Sequence, residues 1–389
     1  MDLRLKPGKE RSVRGGHPWI FSGALDDAPA STPAGSVVRV LDADNNYLAS
    51  GYYNPRCGIA VRVLTLQDDP IDDSFFEQRL SQALTLRRTL LPADTNAFRL
   101  LNGEGDFLPG VVVDVYGEIV VLQCLTAGAA AMKSAVIGAI VTSLAPRGIF
   151  ERSVGSVRRE EGLGQEVGVV YGEVPSDPIL IEENGLRFEV DIRGGQKTGF
   201  FLDQRDNRQL VRELAAGRTV MNAFAYTGAF SVYAAAGGAR QVVSVESSTA
   251  AIELAKRNWQ HNRLDDGIGE LIDADVFRYL RQDERLYDLL ILDPPALAKH
   301  RRDVQQASRA YKDMHLCGLR RSAPGALIAT FTCSQHVPLE LLARTVNSAA
   351  TDTRKRVQIL RSLGPGMDHP IHIAHPEGEY LKGLLLRVA

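Results

Sequence analysis

Thr219-Val220-Met221-Asn222-Ala223, followed by Phe224-Ala225-Tyr226-Thr227-Gly228-Ala229-Phe230, is the stretch that decides the fold. Its first five residues read as a buried strand, and the turn after them carries one glycine and leads into a helical pattern. The turn is not GxGxxG, so a dinucleotide pyrophosphate has no glycine cradle there. Outward from this point strand and helix alternate, as in a parallel sheet. Strand candidates are Thr219–Ala223, Gln241–Glu246, Gly269–Asp273, Leu286–Leu292, Gly325–Phe331, Arg356–Arg361 and Tyr380–Val388. Between the second and third, Thr249 to Asn262 has Ile252, Leu254, Ala255 and Trp259 spaced for a buried helix face.

Ligands of an open parallel sheet sit beyond the carboxyl ends of its strands. The second strand ends in Glu246, an acid able to accept from both hydroxyls of a ribose. The third ends at Ile272-Asp273-Ala274-Asp275, where a carboxylate can meet an adenine amino group. The fourth ends in Leu292-Asp293-Pro294-Pro295. Turn, ribose acid, adenine acid and Asp-Pro-Pro in that order resemble the class I S-adenosylmethionine-dependent methyltransferases.

The residue after Asp-Pro-Pro bears on the acceptor. Enzymes that methylate exocyclic amines commonly place an aromatic ring there to stack on the base; here it is Ala296. The fifth strand ends in Phe331-Thr332-Cys333-Ser334, 40 residues after Asp293. Cytosine carbon 5 is a poor nucleophile until a thiolate adds to carbon 6. A cysteine facing the methyl donor is what such covalent catalysis requires. Cys317 reads as core of the preceding helix, and Cys57 and Cys124 as structural.

Further stretches run almost end to end. They include Lys6-Pro7-Gly8-Lys9-Glu10-Arg11, His17-Pro18-Trp19-Ile20-Phe21-Ser22-Gly23, Arg99 to Glu104, and Lys197-Thr198-Gly199-Phe200-Phe201-Leu202-Asp203-Gln204-Arg205. Near the end stand Asp368-His369-Pro370, Pro376-Glu377-Gly378 and Tyr380-Leu381-Lys382-Gly383. Together with Thr332-Cys333-Ser334 they resemble the bacterial 23S ribosomal RNA cytosine-5 methyltransferases that carry an amino-terminal PUA domain. The resemblance implies an α/β fold: a Rossmann-like class I methyltransferase sheet over 179–389, preceded by a PUA β-barrel over 1–68 and a small α+β middle domain over 69–178. It implies S-adenosyl-L-methionine near Asn222, Phe224, Gly228, Glu246 and Asp275, with Gln204 and Arg205 closing the site. It implies Cys333 as nucleophile and Asp293 as partner of the cytosine edge. The sequence departs from other RNA cytosine-5 enzymes at Pro295-Ala296, where they place a second cysteine. Methylation of uracil carbon 5 or guanine N7 stays open beside this reading. So does a non-catalytic RNA-binding ribosome-assembly factor.

The amino-terminal segment supports the same division without the resemblance. Ser36–Leu41 and Tyr47–Tyr53 flank Asp42-Ala43-Asp44-Asn45-Asn46, which is hairpin chemistry, and Ile59–Leu64 supplies another strand. These read as a small β-barrel. Beyond Asp69-Pro70, Ser74 to Leu91 is helical, with Phe75, Phe76, Leu80 and Leu84 apolar. A hairpin turning at Tyr116-Gly117 follows.

Charge is informative only by placement. The 389 residues carry 45 basic and 47 acidic side chains, for a net charge of −2. Yet Arg4, Lys6, Lys9, Arg11 and Arg14 outnumber Asp2 and Glu10. Lys299, Arg301, Arg302, Arg309, Lys312, Arg320 and Arg321 outnumber Asp303 and Asp313 just after Asp-Pro-Pro. Such clusters would hold phosphates. Trp19, Phe21, Tyr52 and Tyr53 would offer rings to unpaired bases. Four scattered cysteines without a CxxC pair suggest neither disulfides nor zinc and fit a reduced, cytoplasmic compartment. His369, His372 and His375 stand among prolines and suggest no metal. No apolar run reaches membrane-spanning length. Ribosomal RNA is the expected partner, and a homodimer is compatible with the sequence.

Overall fold

Residues 1–27 and 29–389 are described by the computed structural model, and their packing divides the chain into two units. The first unit comprises Met1–Ile181, Val190–Leu202 and Met367–Gly378; the second comprises Glu182–Glu189, Asp203–Gly366 and Glu379–Ala389. No helix among the described residues is long and apolar enough to cross a membrane.

The first unit holds two five-stranded sheets. One orders Asp2–Arg4, Ser36–Leu41, Tyr47–Tyr53, Ile59–Thr65 and Trp19–Phe21. Its hairpin turns on Asp42, whose carboxylate accepts from the backbone of Asp44 at 3.0 Å and of Asn46 at 2.8 Å. The other sheet orders Glu166–Gly172, Gly148–Ser153, Ile119–Cys124, Val111–Tyr116 and Ala97–Asn102. Helix Asp73–Leu90, capped by Asp72, buries Phe75, Phe76, Leu80 and Leu84 against it.

One expectation for this unit is corrected. Tyr52 and Tyr53 are buried and cannot stack on bases. The Tyr52 ring fills the space left by Gly128, and its hydroxyl is bonded to Pro109 and Thr126. Phe21 is exposed, while the Trp19 indole donates to Glu104 at 2.7 Å and packs edge-on against His375. The histidine-rich stretch is likewise absorbed into packing. Asp368 accepts from His369 at 3.0 Å and from the backbone of Arg99 at 2.9 Å, and His372 meets Phe107 edge-on.

The second unit is built on a seven-stranded sheet: β1 (Thr219–Ala223), β2 (Gln241–Glu246), β3 (Gly269–Asp273), β4 (Tyr287–Leu292), β5 (Ser322–Thr332), β6 (Val357–Leu363) and β7 (Lys382–Val388). Their order is β3-β2-β1-β4-β5-β7-β6, parallel except that β7 runs antiparallel to β5 and β6. Alternation separates two apolar layers. Met221, Val243, Leu290 and Leu292 face one core, with Tyr311 and Leu342; Val220, Val242, Leu289 and Ile291 face the other, with Val211 and Ala234. Strands covered on both sides carry such unbroken apolar runs. Strand order reverses between β1 and β4, so the crevice at their carboxyl ends is the natural ligand site. Register aligns those ends: Ala223 lies beside Val245 and beside Leu292, and Leu292 lies beside Thr330. The last strand begins at Lys382 rather than Tyr380, and the Tyr380 hydroxyl donates to Asp203 at 2.6 Å.

Candidate active site

The turn after β1 is held in an uncommon backbone conformation. Phe224, Tyr226 and Gly228 have φ values of 61°, 49° and 75°. Left-handed backbone at two aromatic residues costs on the order of 1–3 kcal/mol each and persists only when surroundings enforce it. At Tyr226, Glu246 supplies that enforcement. Its Oε2 accepts from the Tyr226 backbone at 2.8 Å, and its Oε1 from Ser247 at 2.8 Å and Ser248 at 2.9 Å. Glu246, expected from the sequence to meet a ribose, here ties the β1 turn to the β2 turn. A carboxylate has about four acceptor positions, so three backbone bonds leave room for a ligand hydroxyl. A Cβ on Gly228 would lie 3.1 Å from the Ala255 Cβ, so the turn packs closely on helix Thr249–His261.

Asn222 is buried in β1, its Nδ2 donating to Ser231 Oγ at 2.8 Å, which in turn meets Ser244 Oγ at 2.7 Å. Its Oδ1 has no hydrogen-bond partner. Asp275 caps helix Val276–Gln282, one oxygen accepting from the Arg278 backbone at 2.7 Å. Phe277 in that helix meets Phe224 edge-on at 5.4 Å between ring centroids. The β1 and β3 ends are thereby joined by an aromatic pair that the sequence reading did not single out. The signal was present: Phe277 stands two residues after Asp275.

Asp293 follows β4 and is half-buried. Gln204 donates to its Oδ2 at 2.8 Å, and Asn207 orients Gln204 by donating to its Oε1 at 2.6 Å. Gln204 is thus brought to the site. Arg205 is buried with its Nε 3.4 Å from Glu183, a carboxylate that Arg208 grips with two nitrogens.

Cys333 follows β5, half-buried between two pinned neighbours. Thr332 accepts from the Tyr311 hydroxyl at 2.7 Å, and Ser334 Oγ accepts from the Ala298 backbone at 3.1 Å. The second contact ties the Asp-Pro-Pro loop to the Thr-Cys-Ser loop. Burial pushes the Tyr311 phenol up to about 12. Burial raises Cys317, Cys124 to about 12 and Cys57 to about 11, as for inert thiols. Lys299, Arg301, Arg302 and Arg309 are exposed, whereas Lys312 pairs with Asp352 at 2.8 Å.

Residues 168–352 match the S-adenosylmethionine-dependent methyltransferase family, and residues 3–66 match the PUA-like domain. The chain is 39% identical over 391 residues to ribosomal RNA large subunit methyltransferase I of Pseudoalteromonas atlantica, covering 99% of each. It is 41% identical over 389 residues to the protein of the same name from Tolumonas auensis, covering 98% of each. A SAM-dependent methyltransferase structure from Streptococcus mutans shares the fold over 100% of both chains, with a TM-score of 0.83 at 24% identity. A methyltransferase structure complexed with SAH, SMU.776, does so with a TM-score of 0.85, also at 24% identity and over 100% of both chains. With a PUA-like domain, an S-adenosylmethionine-dependent methyltransferase domain and this end-to-end similarity, the chain belongs to the ribosomal RNA large subunit methyltransferase I family.

Proposed function

We propose that the chain methylates carbon 5 of a cytosine in 23S ribosomal RNA, with Cys333 as the covalent nucleophile. The names of its relatives support a large-subunit ribosomal RNA substrate, and the choice of nucleophile rests on Cys333 and Asp293 following the neighbouring strands β5 and β4, whose loops are joined by the Ala298–Ser334 bond.

The residues fit the cofactor. The buried Asn222 Oδ1 lacks a donor, which is costly unless a ligand supplies one, and the amino group of S-adenosylmethionine would do so. Glu246 and Asp275 each keep acceptor capacity, for a ribose hydroxyl and an adenine amino group. The Phe224–Phe277 pair offers an apolar wall. When bound, the cofactor supplies an electrophilic methyl group on a sulfonium.

The thiolate of Cys333 adds to carbon 6, forming an Sγ–C6 bond and moving electron density to carbon 5. Asp293, oriented by Gln204, holds the pyrimidine edge. Carbon 5 then takes the methyl group. Loss of the carbon 5 proton to solvent restores the double bond, breaks the Sγ–C6 bond and returns the thiolate. The exposed Lys299, Arg301, Arg302 and Arg309 hold phosphates of the RNA.

The test is nucleoside analysis of large-subunit RNA after reaction with the purified chain and labelled methyl donor. Label in 5-methylcytidine is expected. Label in 5-methyluridine or 7-methylguanosine overturns the choice of atom, and no transfer overturns the enzymatic reading.

A further inference from the structure

Lys382 opens β7 directly across from Thr332, the residue before Cys333. It is 5% exposed, an unusual place for an ammonium, which loses hydration there. Its Nζ donates to the carbonyl of Ser334 at 3.3 Å and to that of Glu379 at 3.2 Å. Ser334 follows Cys333, so the cation is fastened to the backbone that carries the thiol. Two carbonyls engage two of its three protons. Its neighbours along β7, from Gly383 to Leu386, are all apolar and buried. A hydrocarbon side chain would satisfy that packing, so the buried charge calls for a separate reason.

We propose that Lys382 is a positioning residue that holds Cys333 as its thiolate, both for attack and for departure as leaving group. The chemical meaning rests on the covalent reading above; the effect on the thiol does not. A cation fixed near a thiol stabilises the charged form, and the thiolate in turn stabilises the cation. Burial lowers the pKa of Lys382, while the charges of Glu379 and Cys333 oppose that lowering.

Other charged and titratable groups reach the same place. Asp293 from the end of β4 disfavours a second negative charge on Cys333 by like-charge repulsion. Glu379 partly neutralises Lys382. Tyr311, from helix Val304–Arg320, stays neutral near pH 7 because burial raises it to about 12. Of these groups, the buried ammonium is the one that favours ionisation of Cys333.

The experiment follows the rate of iodoacetamide alkylation at Cys333, read by mass spectrometry of its peptide, from about pH 5 to 10 in the full chain. Resolving the peptide keeps Cys57, Cys124 and Cys317 out of the readout. Lys382→Met is expected to slow alkylation at neutral pH about tenfold and raise the inflection by about one pH unit. Lys382→Arg, which keeps the charge, is expected to retain the inflection of the unmodified chain. An unmoved inflection in Lys382→Met overturns the proposal. If that variant does not fold by circular dichroism, Lys382→Arg decides alone, and a raised inflection there overturns it. No RNA is needed. An unmoved inflection therefore removes this proposal and leaves the adduct standing, whereas full methylation by Cys333→Ala removes the adduct and leaves the measured inflection standing.

Discussion

Gln204 donates its side-chain amide to the Asp293 carboxylate at 2.8 Å, across 89 positions of sequence. One of these residues precedes helix Arg205–Leu214 and the other follows β4, so the bond fixes the acid against the segment upstream of the sheet. Hydrogen bonds to charged groups contribute about 1.5–3 kcal/mol. Gln204→Met is therefore expected to lower kcat/KM for RNA methylation about 10- to 100-fold. Steady-state kinetics checks this, and an unchanged value would show that Asp293 needs no such support.

Glu246→Ala removes the acceptor for three backbone N–H groups as well as a ligand contact. Cofactor affinity by calorimetry should fall at least about tenfold, and the melting temperature should fall with it, at roughly 1–3 kcal/mol for the groups left unpaired. Unchanged affinity would contradict the placement of β2.

At Asp275 the two roles separate. Asparagine can still cap helix Val276–Gln282, while alanine cannot. Asp275→Asn should weaken cofactor binding with little change in melting temperature. Asp275→Ala should do both, losing about 1 kcal/mol of stability. Equal melting temperatures for the two variants would remove the capping role.

His315 carries a pH dependence of stability. It is buried between Thr330 and Thr345, and burial lowers its pKa from 6.5 to about 3. Between those values the unfolded chain binds the proton and the folded chain does not. Stability therefore falls as pH falls through that window. In His315→Gln, urea midpoints at pH 7 and 5 should differ less than in the unmodified chain. An equal difference in both would assign the dependence elsewhere.

Arg309→Glu reverses an exposed charge on helix Val304–Arg320. RNA affinity should fall and its logarithmic salt slope flatten by about one, because a phosphate contact is lost. Cofactor affinity should stay the same. Filter binding at several salt concentrations checks this, and an unaltered slope would place the RNA elsewhere.

What was legible in the sequence was local. The sheet strands showed as apolar runs that stop at polar residues, and the stops at Glu246 and Asp293 are where the structure ends β2 and β4. What was not legible depends on long-range pairing. The Gln204–Asp293 bond and the Lys382–Ser334 contact join residues 89 and 48 positions apart. The backbone bonds of Glu246 depend on left-handed residues, Phe224 and Tyr226, that residue types do not announce. Tyr380 fits a strand by composition, yet β7 begins two residues later, at Lys382. Tyr52 and Tyr53 fit a base-stacking face by residue type and are core by burial.

The most direct measurement of the central claim uses large-subunit RNA carrying 5-fluorocytidine at the target position, where fluorine blocks the elimination that frees the enzyme. With methyl donor present, the account predicts a protein–RNA adduct that survives denaturation and maps to Cys333, and no adduct with Cys333→Ala. Turnover of ordinary RNA by Cys333→Ala at the full rate, or an adduct on another residue, would contradict it.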